Sequence, residues 1–157
     1  MIRAILMTAV WVVAVSVTGA EPAPELRATT LHDGELDLAE LNGNVVLLQF
    51  WSTYCATCIE ELPTLKRLHK KHGAAGLEII GVALDEKPRL VRKVIAQQGI
   101  NWPQICDGSG IDSPIVAAYD VKSTPRYVLI DRAGNVADFY VRPSELEQAL
   151  DTILSAD

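Results

Sequence analysis

At 157 residues, 49% of them hydrophobic, the chain has the length for one domain with a single core. It carries 14 Lys and Arg against 20 Asp and Glu, a formal charge of −6; with no Lys/Arg-rich run and no aromatic-interleaved basic patch, this argues against a nucleic-acid surface. Three cysteines are too few, and odd in number, for a disulfide-built scaffold.

Residues 1–20 place Arg3 ahead of the apolar run "AILMTAVWVVAV" and end in the small residues "SVTGA". That order is the order of a secretory signal, and cleavage after Ala20 is expected. The alternative is an uncleaved anchor, but the run is shorter than the roughly 20 apolar residues that span a bilayer. Residues 21–25, rich in proline, read as a linker, and residues 26–157 as the folded domain. "LRATTLHDGELDL" has an Asp33-Gly34 turn between short extended pieces, which predicts an N-terminal β-hairpin. "DLAELNG" reads as one helical turn stopped by Gly43.

"NVVLLQFW" is an apolar, branched run and reads as a strand buried on both faces. From about Cys55 to Lys71, Ile59, Leu62, Leu65 and Leu68 recur at helical spacing, with Pro63 predicting a kink. "GLEIIGVAL" is a second buried strand, and "EKPRLVRKVIAQQG" a helix with Pro88 in its first turn and Gly99 at its end. "NWPQICD" is a weak strand, and "DSPIVAAYDV" a short helix capped by Ser113. "RYVLIDRAGNVADFYV" is an antiparallel hairpin, and "SELEQALDTILSA" a closing helix with Ser144 and Glu147 spaced as a capping box. Strands alternating with helices, then a hairpin and a final helix, predict an α/β sandwich on a central mixed sheet.

Cys55 and Cys58 could bind a metal, staple a loop or exchange electrons. His69 and His72 follow downstream, but eleven helical steps of about 1.5 Å put Cys58 and His69 roughly 16 Å apart, too far for one zinc ion. Those histidines read instead as solvated residues of a helix's last turn. A disulfide closing so short a loop constrains little of the unfolded chain. The redox reading explains more. Cys55 follows a buried strand at a helix N-terminus, where unpaired backbone N–H groups favour a thiolate. Cys58 returns to the same helical face one turn deeper, placed to resolve a mixed disulfide on Cys55. Cys106, the odd thiol, reads as a buried small hydrophobe.

"VVLLQFWSTYCATCIEELP" resembles the active-site segment of TlpA/ResA-type thiol–disulfide oxidoreductases, exported bacterial proteins of the thioredoxin fold. "LDLAELNGNVVLL", "WPQICDGSGIDSPIVAAYDV" and "STPRYVLIDRAGNV" are similar to that family's flanking segments, so the likeness covers about Leu26 to Ala156. The resemblance implies a thioredoxin-like fold, Cys55 as nucleophile and Cys58 as resolving thiol. It implies a cis Pro125 beside the disulfide, with the Thr124 backbone pairing with a bound substrate chain, and Trp51 at the active-site loop. Glu61 stands where the family has an acid that assists proton transfer; as a bland alternative it is a first-turn carboxylate favoured by the helix dipole. Two departures matter. Gln49 replaces the buried Asp of cytosolic-type thioredoxins and cannot accept a proton. Ala56-Thr57 lies between the cysteines where relatives often carry proline.

The expected function is an exported, periplasmic thiol–disulfide oxidoreductase, acting as a reductant of partner proteins. It is expected to be a monomer with no cofactor beyond the Cys55–Cys58 disulfide and no metal. A membrane thiol donor would supply its electrons, and apocytochrome c maturation is a common use in the family. A thiol peroxidase of this fold, or a non-catalytic binding module, are the alternatives.

Overall fold

Strand β4, Val45–Trp51, is buried at all seven positions and forms the spine of the molecule. In this computed structural model, which describes residues 20–32, 34–139 and 143–155, alternate residues of β4 feed two separate cores. Val45, Leu47 and Trp51 face one layer, and Val46, Leu48 and Phe50 the other. A continuous apolar run is what such a strand requires.

The strands are β1 (Glu21–Pro22), β2 (Arg27–Thr29), β3 (Glu35–Asp37), β4, β5 (Leu77–Ala83), β6 (Gln104–Ile105), β7 (Arg126–Ile130) and β8 (Asn135–Asp138). The helices are α1 (Ala56–His72), α2 (Pro88–Gln98), α3 (Pro114–Ala118) and α4 (Pro143–Ser155). The main sheet runs in the order β1-β8-β7-β4-β5-β6. β4, β5 and β6 are parallel, whereas β7 pairs antiparallel with β4 and β8 with β7. The predicted N-terminal hairpin is β2 with β3, antiparallel and separate from the main sheet.

Leu62, Leu65 and Leu68 of α1, Val91 and Ile95 of α2, and Leu146 and Leu150 of α4 cover one face. Val116, Tyr119 and Val121, with Leu26 and Leu38 from the N-terminal region, cover the other. The fold is thioredoxin-like, a mixed sheet flanked by helices.

Several local expectations change. Glu21 and Pro22 are not a linker: they pair with Val136 and Asn135, and the Ala23 N–H donates to the Gly134 carbonyl. An edge strand accepts Pro22 because proline lacks only a donor that the edge need not use. α1, Ala56 to His72, carries Pro63 in its interior and extends one residue past the expected Lys71. His72 is buried, with Nε2 3.3 Å from an Asp151 carboxylate oxygen, and His69 meets the Trp102 ring edge-on, so these histidines are packed rather than solvated. The leader at 1–19 and the Ser144 side chain lie outside the described residues; the Glu147 carboxylate goes to Arg67 and Lys71. No described helix is long and apolar enough to cross a membrane.

Candidate active site

β4 ends at Trp51, and the four residues after it carry the chain into α1. Asp85, just past β5, fixes that loop. Its carboxylate accepts the Thr53 N–H at 3.0 Å and, through the other oxygen, the Thr53 hydroxyl. The Ser52 carbonyl accepts the Cys55 N–H at 3.1 Å. Asp85 is itself buried, and its backbone carbonyl accepts the Cys106 thiol at 3.2 Å. Cys106 is free and buried, as expected, and burial pushes its thiol up from the ordinary cysteine value.

Cys55 occupies the N-cap of α1 in extended conformation, and its sulfur accepts the Cys58 backbone N–H at 3.2 Å. The two cysteines form a disulfide with Cα atoms 5.2 Å apart. Cys55 is half-buried and Cys58 is fully buried. One sulfur is therefore reachable from outside and the other is not. This asymmetry follows from position, because Cys58 lies one turn into a helix whose inner face packs on the sheet.

β7 pairs with β4 so that Arg126 stands opposite Phe50. One step further along the register brings Pro125 level with Trp51, at the same end of the sheet as the cysteine pair. The Thr124–Pro125 bond is cis, and both residues are half-buried. Tyr54, 79% exposed, lines with Leu84, Glu86 and Leu90 a hollow of about 300 Å³ beside the loop.

Trp51 closes β4 directly ahead of the active-site loop. It is fully buried, and its indole N–H donates to Gln104 Oε1 at 2.9 Å. It packs in the same core as Cys58 and supports the loop from within.

Beneath α1 the sheet carries a polar row. Tyr127 on β7, Gln49 on β4, Gly81 on β5 and Gln104 on β6 are successive register partners. A Cβ on Gly81 would stand 2.1 Å from Gln104 Oε1, so only glycine lets that amide lie across the strand. Gln49 is fully buried, and neither of its amide atoms has a hydrogen-bond partner among the described residues. Tyr127 donates its phenol to Glu61 Oε2. Burial pushes the Glu61 carboxyl above its ordinary value; the Tyr127 hydrogen bond opposes this, and Glu60 adds to it. Burial, and then Glu61 itself, drives the Tyr127 phenol far upward, so it remains a proton-bearing donor.

Asp85 and Tyr127 were not singled out from the sequence. Asp85 had a local signal, an acid closing the apolar run "EIIGVAL". Tyr127 had a weaker one, two residues beyond Pro125. Among the described residues no group of three or more His, Cys, Asp and Glu could hold a metal ion.

Residues 18–154 match the Redoxin family. The thiol-disulfide oxidoreductase ResA of Bacillus thuringiensis (strain Al Hakam) is 32% identical over 126 residues, which is 80% of this chain and 71% of the relative. ResA of Bacillus subtilis (strain 168) is 30% identical over 121 residues, 77% of this chain and 66% of the relative. Among solved structures, a Chlorobium tepidum protein described as a thiol:disulfide interchange protein, DsbE, superposes with a TM-score of 0.79 at 30% identity, covering 89% of this chain and 100% of that one. With its Cys-x-x-Cys pair on the first turn of α1, the chain belongs to the Redoxin family and is a thiol–disulfide oxidoreductase of the ResA/DsbE type.

Proposed function

We propose that the protein is exported and reduces disulfides in other proteins through Cys55 and Cys58, with no cofactor beyond this pair. The observation that supports this best is the unequal access of the two sulfurs, Cys55 half-buried at a helix N-terminus and Cys58 sealed behind it. In the reduced protein, the Cys55 thiolate attacks one sulfur of a partner's disulfide. The partner's S–S bond breaks, and its other sulfur leaves with the electron pair and takes up a proton. Cys58 then loses its proton and attacks Cys55, closing Cys55–Cys58 and releasing the partner's second sulfur. Two electrons pass to the partner.

Glu61, i+3 from Cys58 on α1, is the proposed acceptor of the Cys58 proton, a task the Gln49 amide cannot perform. The backbone at Thr124 is the proposed edge for the partner chain, and Tyr54 with the neighbouring hollow, where Leu84 and Leu90 stand among Asp85, Glu86 and Lys87, a second footing. Each turnover leaves the protein oxidised, so a membrane thiol donor would have to restore the dithiol. Apocytochrome c is one substrate class the resemblance implies. The leader pattern in residues 1–20 supports export into the periplasm.

Insulin-type disulfide reduction tests the reading. Wild type should turn over, Cys55→Ser should be inactive, and Cys58→Ser should accumulate a mixed disulfide on Cys55, visible by mass spectrometry. Peroxide turnover that survives loss of Cys58 would make the protein a peroxidase instead. A reduction potential nearer about −270 mV than −120 mV supports a reductant, and the opposite result would reverse the electron flow.

A further inference from the structure

The Tyr127–Glu61 contact joins residues 66 apart in the chain. Tyr127 is 2% exposed, and its ring packs in the core that also holds Cys58 and Leu62. A phenylalanine would fill that space equally well, so the hydroxyl is the informative atom. It points at the one carboxylate on the α1 face that carries Cys58, and it comes from the strand that begins directly after the cis Pro125.

We infer that Tyr127 is a positioning residue for the exchange reaction: its phenol holds Oε2 of Glu61 so that Oε1 is turned free to take the proton of Cys58. This rests on the proton role proposed for Glu61. When Cys58 resolves a mixed disulfide, its S–H proton passes to Oε1, and the freed sulfur pair attacks Cys55. The bond from Cys55 to the partner breaks, and the electron pair leaves on the partner's sulfur. Tyr127 keeps its own proton throughout.

The surroundings of Glu61 leave this donor unusual weight. Along its own helix stand Glu60, which repels a second negative charge, and the cysteine pair. From β4 comes Gln49, uncharged and paired in register with Tyr127. The acids of α4, Glu147 and Asp151, are engaged by Arg67 and Lys71, further along α1. Tyr127 is the group on the facing strand that favours the ionised carboxylate, against burial and Glu60.

The test compares wild type, Tyr127→Phe, Glu61→Gln and the double variant as full chains, checked for folding by circular dichroism. Two readouts are taken across pH: the Glu61 carboxyl titration in reduced protein, by carbon-13 NMR, and the rate of disulfide exchange. Tyr127→Phe should move the titration midpoint up and slow exchange about three- to tenfold on the acid side, with the loss fading at alkaline pH. In the Glu61→Gln background the same change should add nothing. Incorporating 3-fluorotyrosine at 127, a stronger donor, should move the midpoint down, which no packing defect would do.

An unmoved midpoint in Tyr127→Phe, or a loss equal at every pH, overturns the inference and leaves the oxidoreductase reading intact. If Glu61→Gln keeps the wild-type pH profile while Cys55→Ser is inactive, the proton role of Glu61 fails, and the inference with it. If Cys55→Ser also keeps activity, the proposed function itself is wrong.

Discussion

Asp85 holds Thr53 by two hydrogen bonds, one to the backbone N–H and one to the hydroxyl, two residues ahead of Cys55. Removing the carboxylate strands both donors in a part-buried setting. Asp85→Ala should therefore cost about 1–3 kcal/mol, read as a lower urea midpoint, and Asp85→Asn, which keeps one acceptor, should cost less. Glu61 behaves in the opposite sense. Its carboxyl is raised in the fold, mainly by burial, so the native state holds that proton to higher pH than the unfolded chain does. Stability is then lost as pH rises from the unfolded carboxyl value through the folded one. Glu61→Gln keeps an acceptor for Tyr127 and removes the titration. It should be no less stable than wild type at neutral pH, and its melting temperature should fall less between about pH 4 and 7. A residue whose charge disfavours the fold fits a task in exchange better than a task in stability.

The contact between α1 and α4 rests on leucines below and on charges at the rim. Hydrogen bonds from Arg67, then Lys71, draw the Glu147 carboxyl down to about 2. Because the folded value lies below the unfolded one, the contribution is present above the ordinary carboxylate range and is lost as pH falls toward 2. These groups are solvent-exposed, so salt should screen them. Acid unfolding followed at low and at about 1 M salt should show a shallower acid limb in Glu147→Gln, with the difference collapsing at high salt. Across the sheet the constraint is steric. Gly81→Ala would drive a methyl into the Gln104 amide and break its bond to Trp51. A loss of about 2–4 kcal/mol is expected from overpacking together with the stranded indole, measurable by denaturant titration. The helices themselves were readable in the chain. Pro88 and Gly99 bracket α2, and the Ser113 hydroxyl caps α3 by accepting the Ile115 N–H. β1 was not readable, because two residues carry no period and Pro22 argues for a break.

The sheet order makes local signals into a site. The β4 run and the Cys55/Cys58 spacing could be read directly, since each lies within one element. The polar row of Tyr127, Gln49, Gly81 and Gln104 could not, because it exists only once β7, β4, β5 and β6 are in register. The setting of Trp51 is hidden from the sequence for a related reason: Gln104, 53 residues away, accepts the indole N–H, and the ring is sealed inside. Redox poise is likewise a property of the assembled molecule, since it measures how far the fold prefers the disulfide to the dithiol. Two contributions oppose each other. The helix N-terminus and the Cys58 N–H favour a thiolate on Cys55. Glu60 and Glu61 on the same helix, Asp85 at the loop, the burial of Cys58 and a net charge of −6 disfavour negative charge there. If the second set outweighs the first, as a reductant needs, the dithiol is the less stable fold. The oxidised protein should then melt roughly 5 °C or more above the reduced protein in paired scans at neutral pH, with and without dithiothreitol. A strong oxidant has the reverse order, because its reduced form is the stabilised one. A reduced form that melts at the same temperature or higher would make Cys55–Cys58 a disulfide donor and turn the proposed electron flow around.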